Sequence, residues 1–340
     1  MTQRKSIEVS VVIPTYNSAR TLNHCLASIV ANVTSYNYEI IVVDAGSQDS
    51  TIEIAKLYSN KVIPGIPRRI NRNIGVNNSS GKIICFTDSD CKVPENWIDC
   101  LCDGLLKLSK KDHSLVGVGG GNILNIENPT LMEHAVIKSM TSPLVSFKAR
   151  NVALYDKEFE VQHNPPMNSA YFKWAIEEVD GFQEEYGYGG EDLELDAKLT
   201  GKHYKLYYLP YVTVVHMHRA GFKKFVRQMF KLGVGRIKVG SKYSDYLQFH
   251  HYGPVFLCLM SFTPFIVIPL IMALVNSCYV TLKDKNLLML LPVIILTMAF
   301  YIAYGLGEIS EIVKVWHNRT MKTVESPGYK SYQEKNELKI

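Results

Sequence analysis

The stretch CFTDSDCKVP, residues 85–94, places two aspartates one residue apart at the end of an apolar run. Side chains of a β-strand alternate between its two faces, so Asp88 and Asp90 point to the same side if the strand continues through them. Neighbouring carboxylates repel each other and are stable together when a cation lies between them. Mg²⁺ and Mn²⁺ prefer oxygen ligands of this kind. The stretch therefore predicts a strand that ends in a divalent-metal site, and solvated loop carboxylates are the alternative.

Strand-like and helix-like segments alternate on the N-terminal side of this stretch. The strand-like segments are VSVVIPTYN (9–17), YEIIVVDAGSQDS (38–50) and KIICFTDSD (82–90), and those with helical spacing are 19–32, 51–58 and 69–79. This alternation predicts an α/β fold with βαβ units around a mostly parallel sheet. Ligands of such sheets bind beyond the carboxyl ends of the strands. Asn17, Asp44 and Asp88 fall at these ends, so we expect a ligand cleft there.

Two polar residues near these strand ends are candidates for binding a nucleotide. Asp44 ends the second strand and can accept hydrogen bonds from a nucleobase or ribose. Its alternative role is to form a turn with Gly46 and Ser47. Arg72 opens the helix before the aspartate strand and is suited to bidentate phosphate binding. A solvated arginine is the alternative interpretation.

A second group of candidates lies further along the chain. Glu191 and Asp192 follow a glycine-rich loop in GYGGEDLELDAKLTG (187–201), where a carboxylate can act as a general base. Carboxylates also stabilise helix N-termini, which is the structural alternative. His216 and His218 share one face of the strand-like segment YVTVVHMHR (211–219) and can reach the metal or a diphosphate from across the cleft. Two structural histidines are the alternative.

The C-terminal third of the chain has a different composition. Residues 255–282 and 287–307 contain no charged side chain and are separated by the polar sequence KDKN. A bilayer core of about 30 Å is spanned by about 20 helical residues, so each run predicts a transmembrane helix, and together they predict a hairpin. Two buried helices of a soluble core are the alternative.

Basic residues flank the predicted hairpin. Residues 221–250 begin with an amphipathic pattern that carries lysines and arginines, which predicts a helix lying on an anionic leaflet. A helix packed on the preceding domain is the alternative, and both arrangements can hold together. Further basic residues follow the hairpin within a polar tail, 308–340. The positive-inside rule then places both flanks in the cytoplasm.

Composition narrows the possible functions further. The net charge is only +5, so we expect no nucleic-acid partner. Seven irregularly spaced cysteines predict reduced thiols, not a disulfide framework or a zinc site. A dehydrogenase is disfavoured because Asn122 occupies the third glycine position in VGVGGGN (116–122). A nucleotidyltransferase is disfavoured because PTYNSAR (14–20) lacks a glycine- and lysine-rich phosphate loop.

The segments VVIPTYN (11–17), VVDAGSQDST (42–51), RNIGVNNSSGKIICFTDSD (72–90) and the stretch 167–195 occur in an order that resembles the inverting glycosyltransferases of family two, with the GT-A fold. The resemblance covers roughly residues 1–240 and implies that Asp192 is the catalytic base beside Glu191, that Asp90 holds the metal and that Asp88 approaches the ribose. The residues expected to contact a UDP- or GDP-sugar are Pro14, Tyr16, Asn17, Asp44, Arg72, Asp88 and Ser89.

The resemblance also sets expectations for the acceptor and the domain organisation. Gln228 is followed by MFK, with no Gln-x-x-Arg-Trp motif, so we expect a non-processive enzyme. The hairpin indicates a lipid-linked glycan acceptor, with polyprenyl phosphate itself or a non-catalytic sugar-nucleotide-binding protein as alternatives. The expected units are a catalytic domain 1–220, an interface segment 221–250, transmembrane helices 255–282 and 287–307, and a cytoplasmic tail 308–340. The oligomeric state is open.

Overall fold

The computed structural model describes residues 6–59, 61–66, 71–125, 128–140, 142, 157–186, 189–217 and 221–324. His218 therefore lies outside the described residues, as does the part of the predicted tail after residue 324.

The described residues contain one sheet of nine strands, in the order β3-β2-β1-β4-β8-β6-β9-β5, with β7 pairing to β9. The strands are β1 (Val9–Thr15), β2 (Tyr38–Asp44), β3 (Lys61–Pro64), β4 (Ile83–Phe86), β5 (Cys91–Lys92), β6 (Leu115–Leu124), β7 (Phe159–Val161), β8 (Ser169–Phe172) and β9 (Lys205–His216). The strands predicted from the N-terminal apolar runs, β1, β2 and β4, are all confirmed as neighbours in this sheet.

Strand β1 lies at the centre of the parallel half of the sheet. It pairs in parallel with β2 on one side and with β4 on the other. A strand covered on both faces and both edges is continuously apolar, which explains why Val9, Val11, Val12 and Ile13 have no solvent exposure. The carboxyl ends of β1, β2 and β4 therefore lie side by side.

The α/β fold is confirmed, and antiparallel strands join the parallel part of the sheet. Strand β8 inserts antiparallel between β4 and β6, and β5 and β7 both pair antiparallel with β9. The sheet is therefore mixed. β8 has only four residues and β5 only two, too few for the strand direction to be read from an apolar pattern.

The described α-helices cover both faces of the sheet and extend beyond it. They are α1 (Ala19–Val30), α2 (Thr51–Tyr58), α3 (Asn71–Asn77), α4 (Trp97–Lys111), α5 (Leu131–Met140), α6 (Lys173–Glu178), α7 (Glu191–Gly201), α8 (Phe222–Lys242), α9 (Gly253–Met260), α10 (Val267–Asp284) and α11 (Leu290–Val324). Leu22 of α1 and Leu101 of α4 belong to the core on one face of the sheet, and Val76 of α3 and Leu199 of α7 belong to the core on the other. The domain thus has three layers, with helices on both sides of the sheet.

The C-terminal apolar runs form helices, but their boundaries differ from the expected ones. The predicted helix 255–282 is interrupted, because α9 ends at Met260 and α10 begins only at Val267. Pro264 lies in the break; it lacks a backbone N–H, and the Thr263 hydroxyl accepts from the Phe265 N–H instead. The segments long and apolar enough to cross a membrane are Pro264–Asp284 and Leu287–Asn318.

The last helix also continues past the end of its apolar run. No helix end marks the expected start of the tail at residue 308, because α11 continues unbroken to Val324. Glu308 has no solvent exposure and Glu311 is also buried. Both carboxylates are buried because neighbouring helices cover this part of α11. The sequence alone did not indicate this packing.

Helix α8 packs against α11 through two glycines. A Cβ atom on Gly233 would collide with the Tyr304 carbonyl oxygen, and one on Gly307 would collide with the Phe230 carbonyl oxygen. Phe225 and Met229 of α8 are buried in the same cluster as Phe300 of α11. The apolar face of the predicted interface segment 221–250 thus packs within the protein, while the basic side chains Lys223, Lys224, Arg227 and Lys231 stay exposed.

Candidate active site

A cleft of about 1100 Å³ runs from the carboxyl ends of the strands to the C-terminal helices. Pro14, Tyr16, Ser89, Arg72 and Asp88 line it near the sheet, and Asp90, His216, His163, Glu191 and Asp192 also line it. Further parts of the wall come from α8, α9 and α11, from the residues between α8 and α9, and from Met140 and residues 165–167. Side chains predicted from distant parts of the sequence therefore share one cleft.

Asp44 lies at the rim of the sheet, where its carboxylate is occupied by the following turn. Its oxygens accept from the Thr15 hydroxyl at 3.1 Å, the Gly46 N–H at 3.0 Å and the Ser47 N–H at 2.8 Å. The Ser47 hydroxyl donates to it as well, at 2.5 Å. These contacts match the turn-forming alternative. Its predicted contact with a nucleotide stays a prediction.

The loop after β1 presents an aromatic ring to the cleft. Tyr16 is 59% exposed, and Asn17 adopts a left-handed backbone with φ of 47°. Asn17 holds the neighbouring loop, because its Oδ1 accepts from the Gln48 N–H at 2.9 Å. Ser89 is hydrogen-bonded to Ser18 at 2.8 Å between hydroxyl oxygens. The exposed Tyr16 ring beside Pro14 forms an apolar surface on which a flat ring can stack.

Arg72 joins the two acidic segments of the cleft. It is only 6% exposed, and its terminal nitrogens lie 2.7 Å from Asp88 Oδ1 and 3.4 Å from Glu191 Oε1. Glu191 Oε2 accepts in addition from the Gly189 N–H at 2.8 Å. Glu191 is therefore committed to holding Arg72 and the glycine loop, which leaves Asp192 as the carboxylate available for proton transfer.

Asp90 and His216 form the candidate metal centre. His216 Nε2 lies 3.1 Å from Asp90 Oδ1, because β5 pairs with β9 and puts Cys91 opposite His216. Asp90, Cys91 and His216 together could hold a metal ion. Burial raises the pKa of the Cys91 thiol well above its ordinary value, which makes Asp90 and His216 the better ligands. His218, the other histidine expected at this site, lies outside the described residues.

Asp192 begins α7 directly after the glycine loop and opens to the cleft. His163 Nε2 lies 3.6 Å from Asp192 Oδ2, and His163 Nδ1 lies 2.9 Å from Asp196 Oδ2. Asp196 is fully buried and also accepts from the Tyr171 hydroxyl and the Asn164 N–H, each at 2.8 Å. A carboxylate–imidazole–carboxylate chain thus extends from the core to the candidate base.

The sequence had not identified His163 and Asp196. One signal was available: Asp192 and Asp196 are four residues apart in a helical segment and therefore share a face. His163 carried no comparable signal, because it lies in a loop before Pro165 and Pro166. Its position beside Asp192 depends on tertiary packing alone.

Replacing His163 with Gln should reduce stability most at acidic pH. Burial lowers the pKa of His163, but the hydrogen bond to Asp196 and the charges of Asp192 and Asp196 outweigh it, and the pKa is raised above its ordinary 6.5. A raised folded pKa stabilises the fold below the unfolded value, and this contribution is lost as pH rises through the folded value. We therefore expect the Tm gap between the wild type and His163→Gln to be larger at about pH 6 than at about pH 9.

Differential scanning fluorimetry of the purified protein measures this gap. We expect a difference of a few degrees, because about 1 kcal/mol moves the Tm of a domain of this size by roughly 2–4 °C. His24→Gln on the exposed surface of α1 is the matched control and should leave the Tm unchanged at both pH values. A gap that does not depend on pH would show that the imidazole is not charged in the folded protein.

The end of the cleft away from the sheet combines cationic and apolar groups. Arg236 of α8 lies there with His250 and His251. The apolar lining residues at this end are Met229, Leu232, Pro254, Phe300 and Tyr304. Helix α11, which lines this end, contains one candidate membrane span, and α8 and α9 pack against α11.

Comparisons with known proteins agree with this architecture. Residues 10–170 match the family Glycosyl transferase family 2. Glycosyltransferase AglE of Haloferax volcanii is 29% identical over 240 residues, which are 68% of this chain and 73% of that protein. The dolichyl N-acetyl-alpha-D-glucosaminyl phosphate 3-beta-D-2,3-diacetamido-2,3-dideoxy-beta-D-glucuronosyltransferase of Methanococcus voltae is 23% identical over 311 residues, 87% of this chain and 95% of that protein.

A solved structure shows the same fold. The mannosyltransferase from Pyrobaculum calidifontis, in complex with GDP-Man and Mn²⁺, superposes with a TM-score of 0.57 at 16% identity, over 90% of this chain and 88% of that chain.

Proposed function

This chain carries a glycosyltransferase family 2 domain with the GT-A fold and is a glycosyltransferase, and from this premise we propose its reaction. It transfers a sugar from a UDP- or GDP-sugar to a lipid-linked glycan at the cytoplasmic leaflet, with inversion at the anomeric carbon and with the help of Mg²⁺ or Mn²⁺. The observation that carries this proposal is the single cleft that joins Asp88 and Asp90, Asp192 and the C-terminal helices.

The donor is assigned to the sheet end of the cleft. Tyr16 offers a stacking surface for a base, and Asp88 is fixed by Arg72 at the end of β4, where a ribose can be hydrogen-bonded. A site with two protein ligands, one carboxylate and one imidazole, suits a divalent cation that takes its other ligands from phosphate oxygens. The residues present therefore fit a metal, and Asp90 and His216 would hold it. When bound, such a cation neutralises the charge of the departing diphosphate.

Asp192 is assigned as the general base. Its carboxylate takes the proton from the acceptor hydroxyl while that oxygen forms a bond to the anomeric carbon. The bond from this carbon to the diphosphate oxygen breaks on the opposite face, and the nucleoside diphosphate leaves with the electron pair. His163, held by Asp196, fixes the position of Asp192.

The acceptor is assigned to the end of the cleft formed by the C-terminal helices. Large apolar side chains of these helices are exposed, as expected for a surface in contact with lipid. They include Phe256, Leu259, Phe262, Phe265, Ile271, Leu274, Leu282, Leu287 and Leu291. The exposed lysines at the start of α8 support placing the catalytic domain on the cytoplasmic side. The Methanococcus voltae relative, whose name contains a dolichyl-linked sugar phosphate, supports a lipid-linked acceptor.

A sugar hydroxyl is favoured as the nucleophile over polyprenyl phosphate itself. A phosphate oxygen is already ionised at neutral pH and needs no base, whereas a hydroxyl does. Asp192 in the cleft, supported by His163 and Asp196, supplies that base.

The test is a donor screen with the purified full-length chain in nanodiscs. UDP- and GDP-sugars are incubated with the protein and Mn²⁺, with and without extracted lipid-linked glycans, and both nucleotide release and a glycolipid mass increase are measured. We expect one sugar nucleotide to be consumed faster with lipid and to add one hexose-class residue to it. Thermal protection by a sugar nucleotide without any turnover would instead support the non-catalytic binding protein.

A further inference from the structure

We propose that Arg236, with His250 and His251, binds the phosphate of the lipid acceptor, and that the apolar wall beside them holds the first isoprene units of its polyprenyl chain. This inference rests on the proposed function, because it assigns the acceptor end of the same cleft. It adds a ligand class and a set of residues that no sequence motif had indicated.

Arg236 carries a charge that the described residues leave largely available. In the described part of the chain no carboxylate lies within 4.0 Å of its guanidinium, and its hydrogen bond to the Tyr246 carbonyl oxygen is long, at 3.5 Å. Glu308 of α11 faces it from the buried side, beyond ion-pair distance. A guanidinium in a cleft with no close counter-ion is a strong site for a phosphate group, which it can bind through two nitrogens.

The position of Arg236 is fixed by the preceding glycine. A Cβ atom on Gly235 would collide with the Gly189 carbonyl oxygen, so α8 touches the catalytic loop directly. Arg236 also exerts its charge on His163, the neighbour of Asp192. An anion bound at Arg236 would thus share the cleft with the base Asp192.

The two histidines lie together on the same side of the cleft. Their ring centroids are 4.1 Å apart, and His251 Nδ1 accepts from the Gln248 N–H at 3.0 Å. The proton of neutral His251 is therefore on Nε2, where it can be donated. Burial, followed by the charges of Arg236 and His250, lowers the pKa of His251 to about 4. An anion bound beside these positive charges would be stabilised by them.

The apolar wall distinguishes a lipid phosphate from a soluble one. Met229, Leu232, Phe300 and Tyr304 line this end of the cleft together with Pro254, the second residue of α9. Free phosphate gains nothing from such a surface, whereas an isoprenoid buries its methyl and methylene groups there. A ligand with an anionic head and a branched hydrocarbon tail matches both halves of this end.

The test measures binding of geranylgeranyl phosphate to the full chain in phosphatidylcholine nanodiscs. EDTA is present throughout, so that no metal at Asp90 contributes to phosphate binding. We expect Arg236→Met to weaken binding by about tenfold or more, because a charge-assisted hydrogen bond contributes roughly 1.5–3 kcal/mol. Arg236→Lys keeps the charge but loses the two-nitrogen contact, so its affinity should fall between those of the wild type and Arg236→Met. Arg227→Met removes an exposed arginine of the same helix and should leave the affinity unchanged.

Two comparison ligands separate the possible sources of the phosphate. Geranylgeraniol lacks the phosphate and should bind equally to the wild type and to Arg236→Met, while inorganic phosphate should bind much more weakly than the lipid phosphate. Equal affinity of the wild type and Arg236→Met for geranylgeranyl phosphate would overturn the inference. It would also be overturned if inorganic phosphate bound as tightly as the lipid.

The result of this binding test can be distinguished from the result of the donor screen that tests the proposed function. If the donor screen finds transfer to lipid-linked glycans while Arg236→Met binds geranylgeranyl phosphate normally, the function stands and this inference fails. If the lipid phosphate binds through Arg236 but no sugar nucleotide is turned over, the inference stands and the proposed reaction fails.

Discussion

Replacing Asp192 with Asn should lower the turnover number by about 10²–10⁴-fold, the usual contribution of a general base. Asn has nearly the same shape and cannot take the proton from the acceptor hydroxyl. Asp192 is assigned to the acceptor hydroxyl and not to the nucleotide, so the dissociation constant of the sugar nucleotide should stay within about twofold, less than 0.5 kcal/mol. Steady-state transfer to lipid acceptor and donor binding by calorimetry, on the same preparations, measure both quantities.

Two controls make this result specific. Asp245→Asn changes an exposed aspartate after α8 and should keep wild-type turnover. Glu191→Gln tests the neighbouring carboxylate, and because Glu191 holds Arg72 and the glycine loop, its loss should lower the Tm as well as the activity. Full activity in a correctly folded Asp192→Asn enzyme would remove Asp192 as the base.

Replacing Asp90 with Asn should weaken metal-dependent donor binding by about 100-fold or more. Changes in groups that only orient a metal ligand cost about 10–100-fold in metal affinity, and a ligand itself contributes at least as much. The expected signature is loss of the thermal protection that a sugar nucleotide gives in Mn²⁺, measured against the same titration in EDTA. The Tm without ligand should not fall, because a neutral amide in place of the Asp90 carboxylate relieves its repulsion with Asp88.

Glu95→Gln provides the matched control for this prediction, since Glu95 is exposed on the loop that follows β5. It should keep the full metal dependence. If Asp90→Asn also kept it, His216 and Asp90 would not form the metal site, and the donor diphosphate would have to be neutralised by other residues of the cleft.

Much of the fold could be predicted because it is encoded locally. The apolar β-branched runs of β1, β2 and β4 and the spacing of α1 can each be recognised without knowing what they contact. The insertion of β8 between β4 and β6 could not be predicted, because it pairs residues far apart in sequence. The break before α10 had a local cause in Pro264, but membrane helices often tolerate proline, so the pattern alone did not decide it.

Some candidate site residues could be selected for the same reason that part of the fold could be predicted. Asp88 and Asp90 follow β4 and His216 ends β9, and the structure brings all three into one cleft with Asp192. His163 was missed because a loop histidine belongs to no periodic pattern. Arg236 was missed because it is one of several basic residues on an amphipathic helix. What distinguishes these two residues is the tertiary packing around them, and such packing appears only in three dimensions.

The glycine contacts of α8 have a geometric consequence. Gly233 and Gly307 bring α8 and α11 together main chain to main chain, and Gly235 does the same between α8 and the loop at Gly189. These main-chain contacts set the distance between the long apolar helix and the loop that precedes the base. In a bilayer, Asp192 would therefore lie at a fixed distance from the lipid surface. The enzyme would then select an acceptor hydroxyl at that distance and add one sugar, because the end of the longer product would lie beyond the reach of Asp192.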